Sequence, residues 1–314
     1  MSALPMAGDA TAEGAMKRIL VLGGTGFVGR HLCRELGRLE YRVTVPTRNV
    51  SRAQHVQSLA LLDLVQADVH DEAALARLVP GHDAVVNLVA ILHGDSFEFQ
   101  RVHVDLVRKV VRACTDAGVP RVVHVSALGA APDAPSMYQR TKAAGEALVQ
   151  GSGLNWTVLR PSVMFGEGDK FLTVFARLQK IFPIVPLAGA DTLFQPVWVG
   201  DVVNAIVQCL QREDTIRRTY EACGPERFTL RQLVQLAGSL SGHPRPVVGL
   251  PTVLARIQAF AMELAPGEPL MSRDNLDSMK VDNVASGKLP GLDALGISPR
   301  ALGDIAPSYI GIRR

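Results

Sequence analysis

The stretch MYQRTKAAGE, residues 137–146, sets Tyr138 and Lys142 four residues apart at what reads as the start of a helix. At that spacing two side chains lie one above the other on the same helical face. A phenol beside an ammonium is a device for proton transfer. The cation favours the phenolate, and a phenol near pKa ~10 needs that help to act as a base at neutral pH. The same two groups would also grip the hydroxyls of a bound molecule, and such pairs decorate surface helices by accident. Upstream, Ser126 ends the β-branched run RVVHVS. Its hydroxyl would emerge at the carboxyl edge of a parallel sheet, where such sheets bind their ligands.

A second motif specifies the ligand class. ILVLGGTGFVG puts Gly23, Gly24, Gly26 and Gly29 directly after a first strand and before a helix. Gly23 and Gly24 suit the tight turn, Gly26 lets the backbone approach a pyrophosphate, and Gly29 lets the helix pack close to the strand. The helix N-terminus then offers amide donors and the positive end of its dipole to the phosphates. The whole loop, with Thr25, Phe27 and Val28 between the glycines, is expected to bind a dinucleotide. Which dinucleotide is decided at the end of the second strand, where an NAD site usually carries an acidic residue for the ribose 2′-hydroxyl. VTVPTRN has none and offers Arg48. A guanidinium clamps a 2′-phosphate with two parallel hydrogen bonds. NADP(H) is therefore expected, with NAD(H) as the alternative and a solvated Arg48 as the bland reading. Asp68 and Val69, ending the third strand, would border the adenine, although Asp68 would equally start the helix DEAALARLV.

Positioning these groups requires a particular arrangement of elements. From Met16 the runs RILVLG, YRVTVPT, LDLVQADV, AVVNLVAIL, RVVHVSAL and WTVLRPS read as buried strands. Helical runs such as GRHLCRELGRLE, DEAALARLV and FQRVHVDLVRKVVRACTDAG lie between them. That βαβ rhythm implies a parallel sheet covered by helices on both faces. After Pro161 the pattern loosens into the helices FLTVFARLQKIF, DVVNAIVQCLQR and TLRQLVQLAGSLSG, the last closed by Gly242, with short strands in FQPVWV and TYEACGP. The expected organisation is a disordered tail over 1–15, a dinucleotide domain over 16–160 and a smaller lobe over 161–314. A segment of about 194–225 returns to the core.

Composition narrows the classes. The formal charge of +3 comes from intermixed signs with no block of like charge, which gives no case for nucleic acid. Cys33, Cys114, Cys209 and Cys223 are far apart, form no metal-ligand spacing and are expected as buried free thiols of a reducing compartment; no metal site is expected. The first fifteen residues lack the marks of a secretory or mitochondrial leader. No apolar run reaches the roughly 18 to 20 residues of a membrane span.

Taken as a set, GGTGFVG at 23–29, AD at 67–68, NLVA at 87–90, VSA at 125–127, YQRTK at 138–142, LRPSVMFG at 159–166 and FQPVWVGDV at 194–202 resemble the short-chain dehydrogenase/reductase superfamily. The likeness is to its extended, epimerase-like and atypical branches, over about residues 17 to 240. It implies an α/β fold, a doubly wound parallel sheet of the Rossmann type with a smaller interleaved C-terminal lobe. A narrower likeness lies in PTRN, in the short gap between VSALGA and MYQRTKAAGE, and in LMSRDNLDSMKVDNV at 270–284. These resemble the group around the 39-kDa NADPH-binding accessory subunit of respiratory complex I and its bacterial relatives, which implies tight NADP(H) binding without known turnover.

By resemblance, Tyr138 is the general acid or base of hydride transfer. Lys142 lowers its pKa and bonds the nicotinamide ribose, and Ser126 orients the substrate oxygen. Leu88, Val89 and Ala90 border the cofactor, and Pro161, Ser162 and Val163 pass beneath the nicotinamide, with backbone groups of Ser162 and Val163 as carboxamide partners. Three departures weigh against ordinary turnover. The loop between Ser126 and Tyr138 is short, the glycine common after the fourth strand is replaced in NLVAIL, and His103 stands where relatives carry an asparagine. His103 is expected to be structural, with a proton shuttle as the alternative. The function expected is an accessory or assembly protein that holds NADP(H) for a respiratory or quinone system. The alternatives are an active oxidoreductase or nucleotide-sugar epimerase, and an NADP(H)-sensing module.

The late run VVGLPTVLARIQAFAMELAPGEPLM combines apolar residues at helical spacing with few charges. Such periodicity signals burial, so it is expected to form the second lobe's own core. The other reading is a docking face for a membrane-associated partner or for the membrane surface itself; the helix has too little basic character for a good lipid-surface helix, so a protein partner is the better version. The expected place is the cytoplasm, or the periphery of the inner membrane face.

Overall fold

Strand formation follows the apolar runs. In the computed structural model, which describes residues 18–311 except 54–58, 60, 265, 266 and 268, the expected N-terminal tail lies outside the described residues. The first six strands are β1 (Arg18–Leu22), β2 (Arg42–Thr47), β3 (Leu62–Gln66), β4 (Ala84–Asn87), β5 (Arg121–Val125) and β6 (Asn155–Pro161). All pair in parallel, and the small later strands precede β11 (Arg218–Ala222), which adds to β6 to give the order β11-β6-β5-β4-β1-β2-β3. The order reverses between β1 and β4, so the loops after those two strands diverge and leave a crevice.

Side chains alternate across the sheet, which splits the core in two. Ile19 and Val21 pack with Leu32 and Leu36 of α1 (Phe27–Arg38) and with Val202 and Ile206 of the helix Val199–Gln211. Leu20 and Leu22 pack on the other face with Leu75 of α2 (Glu72–Leu78) and with Leu106 and Val110 of the long helical run 96–116. That run is α3 (Ser96–Gln100), a π-helical turn over Arg101–Asp105, and α4 (Leu106–Asp116). The four cysteines are buried free thiols, and burial pushes each up to about 12. Asp71, not Asp68, caps α2 by accepting from Ala73 N–H (3.0 Å), while Asp68 closes the preceding turn by accepting from His70 N–H (3.0 Å).

The Tyr138–Lys142 helix is α5 (Met137–Gln150), between β5 and β6. Beyond β6 come β7 (Met164–Phe165), α6 (Leu172–Ile181), β8 (Val185–Leu187), β9 (Leu193–Phe194), β10 (Val197–Trp198) and then α7 (Val199–Gln211). After β11 follow β12 (Phe228–Thr229), α8 (Leu230–Leu240), β13 (Val247–Gly249), α9 (Thr252–Glu263) and α10 (Arg273–Ser278). Phe165, Leu172, Val185, Leu187, Leu233 and Val234 build a separate apolar core here. Gly242, with φ +72°, closes the turn after α8, and His243 N–H donates to Gly238 C=O (2.9 Å).

The late apolar run overturns one expectation. In α9 only Ala255 and Ala259 are buried, while Val253, Leu254, Ile257, Phe260 and the following Leu264 are exposed. The buried side is two alanines and most of the large apolar residues face outward, so this helix is not the lobe's core.

Candidate functional site

The glycine loop follows β1 at the crevice. Gly23 has φ +82°, a conformation that only glycine adopts without strain. Gly24 has no room for a side chain, since a Cβ would lie 2.7 Å from both Val45 methyl carbons. A Cβ on Gly29 would overlap the Gly23 carbonyl, so Gly29 sets how closely α1 approaches the loop. Gly26 is exposed at the N-cap of α1 and brings no capping side chain, which leaves first-turn amides of α1 to an anion. Thr25, Phe27 and Val28 lie half-buried along the same turn, and Leu88, Val89 and Ala90 follow β4 on the opposite side of the crevice. The two loops nearly touch, because a Cβ on Gly23 would lie 3.2 Å from Val89 N.

At one end of the crevice Arg48 is exposed just past β2 and Asp68 and Val69 sit past β3. Next to them, burial and then the charges of Arg101, Arg48 and Lys109 hold His70 below its ordinary pKa, with Asp68 opposing. Lys109 also donates to His70 C=O (2.7 Å). Arg48 is therefore one of three cations gathered round the third-strand loop, two of which come from the helical run 96–116.

At the other end stand Ser126, Tyr138 and Lys142. Ser126 Oγ is buried and has no hydrogen-bond partner among the described residues, an orphaned hydroxyl of the kind a bound molecule satisfies. Lys142 is 2% exposed and donates to Val125 C=O (2.7 Å). Burial lowers it to about 8, and Glu146 one turn on opposes that shift. Tyr138 packs edge-on against His103 and Phe99. Burial pushes its phenol up to about 12, away from the range of a working base at neutral pH.

His103 is fixed from both sides. Its Nε2 accepts from Ile91 N–H (3.1 Å), so the proton sits on Nδ1, which donates to Thr141 Oγ1 (3.0 Å). Burial, then the Lys142 charge, lowers it to about 3. With both nitrogens engaged it ties the loop after β4 to α5, the structural role rather than the shuttle. Behind Ser126, His124 accepts at Nδ1 from Asn87 Nδ2 (3.2 Å), and Asn87 Oδ1 accepts from Val89 N–H (3.2 Å). Burial and Lys142 keep His124 neutral as well. Sequence reading passed over Asn87 and His124, because polar residues inside strand runs carry no pattern of their own.

Pro161 ends β6, and Arg160 turns away to form a bidentate pair with the buried Glu146 (2.8 and 3.0 Å). Val163 N–H donates to Asn283 Oδ1 (3.0 Å), Ser162 Oγ donates to the same oxygen (2.6 Å), and Ser162 N–H donates to Ala222 C=O (3.0 Å). The amides expected to meet a carboxamide are thus already engaged. From the same late segment, Asp274 accepts from Met137 and Tyr138 N–H (2.6 and 3.1 Å) and so sits on the N-terminus of α5. The sequence flagged this segment by resemblance but assigned Asp274 and Asn283 no task.

A pH prediction follows from Lys142. The resemblance gives Lys142 the ribose hydroxyls; in that role its ammonium is lost as pH rises through about 8, so nucleotide affinity should hold below that value and fall above it. The carboxylate of Glu146 favours the charged form, so Glu146→Gln should move the midpoint to lower pH. Titrating affinity against pH separates this from simple disruption, which would weaken binding at every pH and leave the midpoint in place. Stability runs the other way: the cost of burying the ammonium is fully present below pH 8 and is relieved between about 8 and 10.5.

The residues fit a dinucleotide: an anion-ready turn, cations at one end, an orphaned hydroxyl and a buried ammonium at the other. Comparison with known proteins agrees. A family model described as NAD(P)H-binding matches residues 23–176, and one for an RmlD substrate binding domain matches 129–239. NADH dehydrogenase (ubiquinone) 1 alpha subcomplex subunit 9 of Mus musculus mitochondria is 32% identical over 289 residues, covering 90% of this chain and 76% of that protein. The mitochondrial NADH-ubiquinone oxidoreductase 40 kDa subunit of Neurospora crassa is 26% identical, covering 92% of this chain and 78% of its own length. Among solved structures, a dTDP-glucose 4,6-dehydratase from Streptomyces venezuelae with NAD bound superposes with a TM-score of 0.73 at 22% identity. The match covers 93% of this chain and 95% of that one, and shows the shared fold. With its crevice and its relatives in agreement, the chain belongs to the NAD(P)-binding short-chain dehydrogenase/reductase superfamily, in the branch of the alpha subcomplex subunit 9 relatives of complex I.

Proposed function

We propose that this protein holds NADP(H) tightly, in an accessory or assembly role linked to a respiratory or quinone system at a membrane, with Tyr138, Lys142 and Ser126 acting as fasteners of the nicotinamide ribose. The observation that carries the reading is the late segment at that end of the crevice. Asp274 on α5 and Asn283 on Ser162 and Val163 tie it to both the Tyr138–Lys142 helix and the end of β6. Asn275 Nδ2 reaches Leu92 C=O (3.4 Å) on the loop after β4, so the segment bridges three elements that border the crevice, which supports slow release of a nucleotide held there. The phenol raised to about 12 favours a gripping hydroxyl over a base. Arg48 with Arg101 and Lys109 supports the 2′-phosphorylated dinucleotide. The quinone or respiratory link rests on what the relatives are called.

A second reading, an active NADP(H)-dependent reductase or epimerase, is favoured by the orphaned Ser126 hydroxyl, which would take a substrate oxygen. One experiment separates the two. Freshly purified protein is denatured, the released nucleotide is identified and counted, and replacement by labelled NADPH is timed, for the native chain and for Tyr138→Phe. The holding role predicts nearly one NADP(H) per chain, exchanging slowly, and faster exchange in the variant. An empty site, or exchange within seconds that Tyr138→Phe leaves unchanged, would overturn it and favour turnover.

A further inference from the structure

The outward face of α9 has no role in the crevice. Val253, Ile257, Phe260 and Leu264 recur at i, i+4, i+7 and i+11, one stripe along one side of the helix, with Leu254 beside it. Val253 is 71% and Ile257 60% exposed, whereas Ala255 and Ala259 make the inward contact. The surface does not stop at the helix. Pro186 of β8 and Val248 of β13 are register partners and both exposed, and Ile184 shares their side of the ribbon because Val185 between them is buried. Ile181, Phe182 and Pro183 extend it with consecutive exposed residues. Bulk on this scale turned to solvent marks an interaction surface.

Charge selects the occupant. Neither 171–190 nor 243–262 contains an aspartate or glutamate, and their cations are Arg177, Lys180, Arg245 and Arg256. Arg245 Nε donates to Gln179 C=O (3.1 Å), which sets it beside the Ile181–Ile184 run. Among the described residues, the carboxylates next to α9 are each tied to a cation, Glu263 to Arg273 (2.8 Å) and Asp277 to both Lys280 (2.7 Å) and Arg256 (3.7 Å), so Arg256 is already paired. The sequence of α9 alone favours a protein partner, since it carries one arginine. The fold adds three more cations beside the Ile181–Ile184 run, Arg177 and Lys180 exposed on α6, which ends in Ile181, and Arg245. A second copy would bring further cations and no carboxylate from these two segments.

We propose that this face lies on an anionic phospholipid surface, with the α9 stripe and the Ile181–Ile184 run in the acyl boundary and Arg177, Lys180 and Arg245 at the phosphates. Large apolar side chains over small ones, with cations at the border, form the pattern of a helix lying in the membrane interface. The proposal goes beyond nucleotide holding and does not depend on it.

The test floats the full chain with vesicles of phosphatidylcholine alone and with vesicles containing about a third phosphatidylglycerol. Binding to the anionic vesicles and little to the neutral ones is expected. Val253→Asp with Ile257→Asp should weaken it about tenfold or more, since each removes an apolar anchor. Arg177→Glu with Lys180→Glu should weaken it at least about tenfold, at roughly fivefold per cation. All four positions are exposed, so nucleotide content per chain, counted alongside, should be unchanged. No flotation, flotation indifferent to both pairs, or a dimer in solution that Val253→Asp dissolves would each overturn the proposal, the last by giving the face to a second copy.

Discussion

Gly145→Ala should destabilise the protein by about 3 kcal/mol, the top of the range for overpacking, although alanine gains about 1 kcal/mol of helix propensity over glycine. Gly145 lies on α5, where that helix crosses the π-helical turn 101–105, and a Cβ there would overlap the His103 carbonyl oxygen and crowd Val107. The obstacle is backbone, so no rotamer change relieves it. Either α5 backs away or the π turn deforms, and both moves disturb the hold of His103 on Ile91 and Thr141. Nucleotide affinity should therefore fall together with stability. Gly303→Ala is the control, because Gly303 is helical and nothing stands within 4 Å of an added Cβ. That change should be neutral or slightly stabilising. Urea unfolding of the two variants decides the matter: equal midpoints would mean that the close approach of α5 is not needed.

The same crossing shows which parts of the site were legible in the sequence. Ser126, Tyr138, Lys142 and the glycine loop announce themselves through local signals, a strand followed by glycines or a helix with two groups on one face. The partners that hold them are remote: Asp274 meets Met137 across 137 residues and Asn283 meets Val163 across 120. No periodicity encodes such a pairing. Arg48 stood out because the end of the second strand is a known decision point, whereas Arg101 and Lys109 reach the same loop from a helix that looks like any amphipathic helix. In α9 the periodicity was real but silent on direction. Apolar spacing says that a helix has a face and does not say which face is wet; here Ala255 and Ala259 make the buried side and Val253, Ile257 and Phe260 the exposed one.

Arg48→Glu should weaken NADPH about a hundredfold while leaving NADH within about threefold. Two charge-assisted hydrogen bonds from a guanidinium to a phosphate, together with reversal of a nearby charge, account for about 3 kcal/mol in a partly solvated site. NADH carries no 2′-phosphate, so the new carboxylate meets a ribose hydroxyl that it can accept from, and the loss on that side is small. Arg48 is exposed, so the substitution leaves the fold intact. The remaining cations, Arg101 and Lys109, keep part of the attraction, which is why the effect stops short of abolishing binding. Titrating both dinucleotides at one fixed salt concentration distinguishes the cases. Equal loss on NADPH and NADH would make Arg48 a support of the loop between β2 and β3. No loss on either would make it a solvated side chain, and the preference for the phosphorylated dinucleotide would fall with it.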